Sequence, residues 1–137
     1  MINIALSIAK KAHAGQVDKA GIDYIQHPLY VASQVKTEQE KAVALLHDVL
    51  EDSDITAADL LAYGLSNKVV TAVQTLTKKK GQSYQEYLEK VKSNNLARVV
   101  KLADLKHNSD LSRLKSVSDT DRERVKKYKN AICYLST

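Results

Sequence analysis

Ala44-Leu45-Leu46-His47-Asp48-Val49-Leu50-Glu51-Asp52-Ser53 sets four ionisable side chains inside a stretch that is otherwise strongly apolar. Just upstream, Thr37-Glu38-Gln39-Glu40 has the spacing of a capping box. Ala42, Val43, Leu45, Leu46, Val49 and Leu50 then form a broad apolar face, so the pattern predicts a central helix running through the charged residues. Burying His47, Asp48, Glu51 and Asp52 without partners would be costly. At about 100° per residue, His47 and Asp48 splay from one side of such a helix, Glu51 lies one turn beyond both and Asp52 one turn beyond Asp48. One patch can hold all four. Imidazole with carboxylates suits a borderline divalent ion such as Mn²⁺, Fe²⁺ or Zn²⁺, which would offset the cost of burial. A capped surface helix with acids near its end has the same spacing.

Working outward, the periodicity is helical throughout. Ile4, Ile8 and Ala12, widened by Ala5 and Leu6, predict a first helix over 2–14, stopped by Gly15. An aperiodic loop leads to His27-Pro28, where Pro suits the first turn of a new helix. Thr56 to Asp59 starts a short helix closed by Gly64, Ser66-Asn67 opens another, and Ser83-Tyr84-Gln85-Glu86 is a further capping box. Asn94-Asn95 separates that helix from one over Leu96 to about His107, and a last helix runs from near Ser118 to Leu135 with Val125, Tyr128, Ile132 and Leu135 on one stripe. No strand pattern, repeat or linker interrupts this. The expected fold is an all-α helical bundle of six to eight helices, a single domain over 1–137.

Composition narrows the chemistry. The 137 residues include seven Tyr but no Phe or Trp, so the core must come from Leu, Ile, Val and Ala. A single cysteine, Cys133, excludes a disulfide scaffold and fits a reducing cytoplasm. No apolar run approaches the roughly 20 residues that span a bilayer, and the start lacks the pattern of a signal peptide. The net charge of +5 is split: 1–77 carry six Lys against nine acids, and 78–137 carry fifteen Lys and Arg against seven. The basic half would attract a polyphosphate, so a small anionic substrate is the first reading of the excess and nucleic acid the second.

Two further polar residues occupy positions patterned for the core. His27 stands beside Leu29-Tyr30-Val31, and Asp104 interrupts Val99 to Leu105. Each could be a satisfied core group, yet three such misfits on three helices are better explained by one shared centre. The set Ala12-His13-Ala14-Gly15-Gln16, Tyr24-Ile25-Gln26-His27-Pro28, Ala44 to Ser53, and Lys101-Leu102-Ala103-Asp104 with His107-Asn108 resembles the HD-domain hydrolases of the RelA/SpoT type, closest to the small stand-alone alarmone hydrolases. The likeness covers about 3–115, in order and spacing.

That resemblance implies a mononuclear metal site with His27, His47, Asp48 and Asp104 as ligands, Mn²⁺ being the usual ion of the family. Glu51 and Asp52 fall on its acidic pair, expected to orient the attacking water. The implied reaction removes the 3′-pyrophosphate of ppGpp or pppGpp to give GDP or GTP and pyrophosphate. Lys19 matches a residue that faces phosphates, and Asn108 one that helps seat the nucleoside. Asp18 stands where the family usually has an Arg stacked on guanine, and Leu111 where a small hydroxyl residue is frequent. An acid cannot supply that cation–π contact. Two alternatives follow: the same chemistry on another phosphorylated nucleotide, such as the 2′-phosphate of NADPH, or a non-catalytic module binding nucleotides or nucleic acid.

The remaining features have plainer readings. His13 is expected to cap carbonyls at the end of the first helix, and His107 to pack or hydrogen-bond beside the site. The run Arg122 to Lys129 reads as a solvated helix face, Lys78-Lys79-Lys80 equally as a wet loop or as a segment reaching over the site towards phosphate, and Cys133 as structural.

Overall fold

The computed structural model describes residues 1–137, apart from the side chain of Arg113. Among the described residues the regular structure is helical: α1 (Ile2–Ala12), α2 (Gln26–Ser33), α3 (Glu38–Leu46), α4 (Val49–Asp52), α5 (Ala57–Ala62), α6 (Asn67–Leu76), α7 (Tyr84–Ser93), α8 (Asn95–Asn108), and α9 (Asp119–Ser136), with a 3₁₀ turn at Leu111–Arg113. Eight are helices of six residues or more and α4 is a single turn, as an all-α bundle requires. A lone bridge between Val17 and Asp23 pins the loop that precedes α2.

Local chemistry explains the boundaries. Thr37 with Glu40, Thr56 with Asp59, Ser83 with Glu86 and Ser118 with Asp121 each close a reciprocal capping box, starting α3, α5, α7 and α9. Asn94 caps α8 by accepting from the Ala97 amide. At the end of α5, Gly64 takes φ +98°, and the Gly64 and Leu65 amides donate to the carbonyls of Leu61 and Leu60. This Schellman closure lets Leu65 fold back onto buried Leu60.

The core is aliphatic. Leu46, Leu60, Leu105 and Leu135 are fully buried, with Val31, Val43, Val49, Val69, Val73, Val91 and Val100. Helix α3 packs against α1, α2, α6 and α8, which puts its C-terminal end in the middle of the molecule.

Two expectations change here. The buried face of α1 is Ala5, Ile8 and Ala9, and Ile4 is 39% exposed, because the small alanines let α1 approach α3 closely. The central helix is also not continuous. It ends at Leu46, and Asp48 (φ −106°, ψ 0°) starts α4 as its N-cap. The His47 imidazole donates to the Ala44 carbonyl at 2.6 Å, the acceptor that the Asp48 amide would use in an unbroken helix.

Candidate metal centre

The break in α3 aims His47 and Asp48 into the space between α2 and α8. With Nδ1–H given to Ala44, a neutral His47 presents the lone pair of Nε2. That atom is fully buried and has no hydrogen-bond partner, yet it lies 3.0 Å from Asp48 Oδ2 and 3.3 Å from Asp104 Oδ1. From α2, His27 Nε2 approaches the same Asp104 oxygen at 2.7 Å. Ligating atoms of His27, His47 and Asp104 all fall within 4.8 Å of one another. An acceptor nitrogen facing carboxylate oxygens is repulsive until a cation lies between them, so the donor set and its orphaned nitrogen fit a borderline divalent ion. Asp48 joins this group through His47.

The surroundings keep both carboxylates ionised. Burial works against charge on Asp104, but the Lys101 ammonium, 3.0 Å from Oδ2, and the two histidines hold its carboxyl well below the usual range. For Asp48, burial is likewise outweighed, by His47 and by the hydroxyl of Tyr24, and the value falls to about 2. Burial disfavours a charged His47, yet the Asp48 and Asp104 carboxylates raise its pKa well above normal.

The acids of α4 are arranged differently. Glu51 and Asp52 are exposed. Partial burial and then the Asp48 charge raise both pKa values, which makes each a better proton acceptor near neutrality than an ordinary carboxylate. Gln16 fixes the turn by donating from Nε2 to the Asp52 carbonyl at 3.0 Å.

A cavity of about 530 Å³ runs past this centre, lined by Asp18, Lys19, Tyr24, Asn108 and Leu111 from one side and by Asp121, Arg124 and Tyr128 of α9 from the other. Lys19 is exposed and 3.6 Å from Asp121. Asn108 lines the cavity and also donates to Asp104 Oδ1 at 3.1 Å. Asp18 Oδ1 accepts from the Ala20 and Ile22 amides, so this acid organises the loop as well as facing the cavity.

Two residues escaped assignment from sequence. Tyr24 donates its hydroxyl to Asp48, and Lys101 pairs with Asp104 while lying 5.3 Å from the Tyr87 ring centroid. Each stands inside one of the motifs shared with the HD-type hydrolases, and only the i, i+3 spacing of Lys101 and Asp104 signalled a pairing. His107 does lie beside the site, with Nδ1 2.7 Å from His27 Nδ1. His13 departs from expectation: it is 2% exposed, and its Nδ1 bonds the Gln16 side chain rather than a helix carbonyl, because Gln16 takes the Ala12 carbonyl itself. In the Arg122–Lys129 run, the solvated face holds except for half-buried Arg124, which turns to the cavity. Cys133 is exposed and takes no part in the packed stripe.

No family model matches the chain. The guanosine-3′,5′-bis(diphosphate) 3′-pyrophosphohydrolase of Haemophilus influenzae is 37% identical over 134 residues, 88% of this chain and 20% of that protein. The bifunctional (p)ppGpp synthase/hydrolase SpoT of Escherichia coli K12 is 34% identical over 135 residues, 88% of this chain and 19% of the relative. The chain thus spans about a fifth of the length of the curated relatives it matches. Among solved structures, a metazoan ortholog of SpoT described as hydrolysing ppGpp superposes with a TM-score of 0.79 at 23% identity, covering 98% of this chain and 84% of that one.

Proposed function

Taking the chain as a homologue of the SpoT/RelA-type hydrolases with the HD-domain fold, we propose that it is a divalent-metal-dependent hydrolase. Its reaction is removal of the 3′-pyrophosphate from the alarmone ppGpp or pppGpp. Residues 1–137 are read as one hydrolase domain working in a reducing cytoplasm, where the free thiol of Cys133 persists. The observation that carries this reading is the orphaned Nε2 of His47 between the carboxylates of Asp48 and Asp104, with His27 on the same Asp104 oxygen.

His27, His47, Asp48 and Asp104 would hold the ion, Mn²⁺ in this proposal, with Fe²⁺ or Zn²⁺ compatible with the same donors. Such an ion supplies Lewis-acid polarisation of a phosphoryl oxygen and lowers the pKa of water. Lys101 holds Oδ2 of Asp104, the oxygen turned away from the two histidines, and Tyr24 donates to Oδ2 of Asp48, the oxygen that faces His47, so each orients a carboxylate of the centre. Glu51 and Asp52 position the attacking water and take its proton. The water oxygen bonds to the phosphorus attached at O3′, the P–O3′ bond breaks, and O3′ leaves with a proton. Lys19 and Asn108 are assigned to phosphate and nucleoside. No described helix is long and apolar enough to cross a membrane.

Asp18 on the cavity wall favours one second reading, the same chemistry on another phosphorylated nucleotide such as NADPH. Phosphorus NMR of Mn²⁺-loaded protein with a nucleotide panel separates the two. Pyrophosphate released from ppGpp supports the first, and loss of a single phosphate from another nucleotide replaces it. Failure of every nucleotide to turn over, with retained binding of nucleotides or oligonucleotides, would leave a binding module.

A further inference from the structure

His27 has a second ring nitrogen that an ion on Nε2 would not touch. Its Nδ1 lies 2.7 Å from His107 Nδ1, and the two rings are within 12° of parallel with centroids 5.0 Å apart, as an in-plane N–H···N bond requires. Tyr30 stacks on the His107 ring with centroids 4.2 Å apart, which fixes its plane. Two imidazole nitrogens at this separation share one proton between them: with none the lone pairs oppose, with two the hydrogens do.

That constraint ties the tautomers of both rings to the state of the centre. His27 Nε2 is 2.7 Å from Asp104 Oδ1, and a proton shared along that contact would leave Nδ1 to accept from His107 Nδ1–H. A His27 that ligates through Nε2 needs the opposite: its proton must sit on Nδ1 and be given to His107, whose own proton moves to Nε2. His47 faces no such choice, because the Ala44 carbonyl already fixes its proton on Nδ1. A partner that can either donate or accept at this point serves His27 in both states.

We propose that His107 is a positioning residue of the metal centre, a tautomer partner that secures His27 as an Nε2 ligand. The inference rests on the metal reading above, and its test separates the two. Mn²⁺ affinity is measured by EPR titration on wild type, His107→Phe, His107→Gln and His107→Asn, with thermal unfolding of each metal-free protein alongside. Phe keeps a ring against Tyr30 but offers no acceptor, Gln places its amide near the former Nε2, and Asn places its amide where Nδ1 was.

The expected result is one Mn²⁺ per wild-type chain, affinity lowered about 10–100-fold in the Phe and Gln variants, and affinity within a few-fold of wild type for Asn. A packing role would give the reverse order, with Phe tolerated and Asn impaired, and would overturn the inference. Wild type that binds no divalent ion overturns the metal reading itself, and this inference with it. If the variants fail to fold, long-range ¹H–¹⁵N spectra of wild type decide. His27 should carry its proton on Nε2 without metal and on Nδ1 with Zn²⁺ bound; a Zn²⁺-loaded His27 lacking a proton on Nδ1 overturns the proposal.

Discussion

His27, His47 and Asp104 come from three helices and are almost removed from solvent, at 5%, 3% and 5% exposure. On the wall of the neighbouring cavity, Asp18 and Lys19 sit on the loop between α1 and α2, and Lys19 pairs with Asp121 at 3.6 Å. The two sides of one site are thus built in different ways. On the buried side each candidate ligand is tied to a neighbour: His47 through its other ring nitrogen to the Ala44 carbonyl, Asp104 through its other oxygen to Lys101, and Asp48 at Oδ2 to Tyr24. Such closure sets the donor geometry before any substrate arrives. On the loop, Lys19 is exposed and its pairing screened, so it can change at small structural cost, whereas Asp18 also holds the Ala20 and Ile22 amides. In the proposed function, the chemistry therefore belongs to the buried side and the choice of nucleotide to the open one.

The largest test of that division is Asp48→Ala. It is expected to abolish both metal retention, read by elemental analysis, and turnover; undiminished turnover would remove Asp48 from the centre. Asp52→Ala should split the two properties, keeping one ion per chain while kcat falls about 10²–10⁴-fold, the contribution of a positioned base. Equal loss of metal would make Asp52 a ligand instead.

Tyr24 touches both sides, since it lines the cavity and donates to Asp48. Tyr24→Phe removes a hydrogen bond to a charged group, worth about 1.5–3 kcal/mol, so Mn²⁺ affinity should fall roughly tenfold or more. Unchanged affinity would mean that the hydroxyl does not hold the carboxylate. The smallest effect is expected at the open wall. Asp18→Arg should shift preference towards guanine nucleotides by a few-fold, the scale of an exposed cation–π contact of about 0.5–1 kcal/mol. Asp18→Asn serves as the control, because its side-chain oxygen can still accept from Ala20 and Ile22. Unaltered preference in both variants would show that position 18 does not face the base.

Much of the bundle was legible because helix starts are local events. The boxes at Thr37 and Ser83 and the stop at Gly64 need only neighbours in sequence, and the structure realises each. The break between α3 and α4 was not legible, since the apolar periodicity of Leu45, Leu46, Val49 and Leu50 runs straight through it. What ends α3 is a side chain, His47, reaching its own helix carbonyl. The same limit applies to the site. His27, His47 and Asp104 were visible as polar residues at core positions and the Lys101–Asp104 pair as an i, i+3 spacing, whereas the roles of Tyr24 and His107 depend on tertiary contacts that no spacing encodes. His13 illustrates the converse, for its place at a helix end suggested a cap, but burial against the Tyr24 ring turned it inward.

Metal content and ppGpp hydrolysis measured on one preparation, first stripped by chelation and then reloaded with Mn²⁺, test the central claim most directly. The account predicts that the stripped protein is inactive and that reloading to one ion per chain restores release of GDP and pyrophosphate. Hydrolysis that persists without the ion, or a fully loaded protein that leaves ppGpp intact, would contradict it.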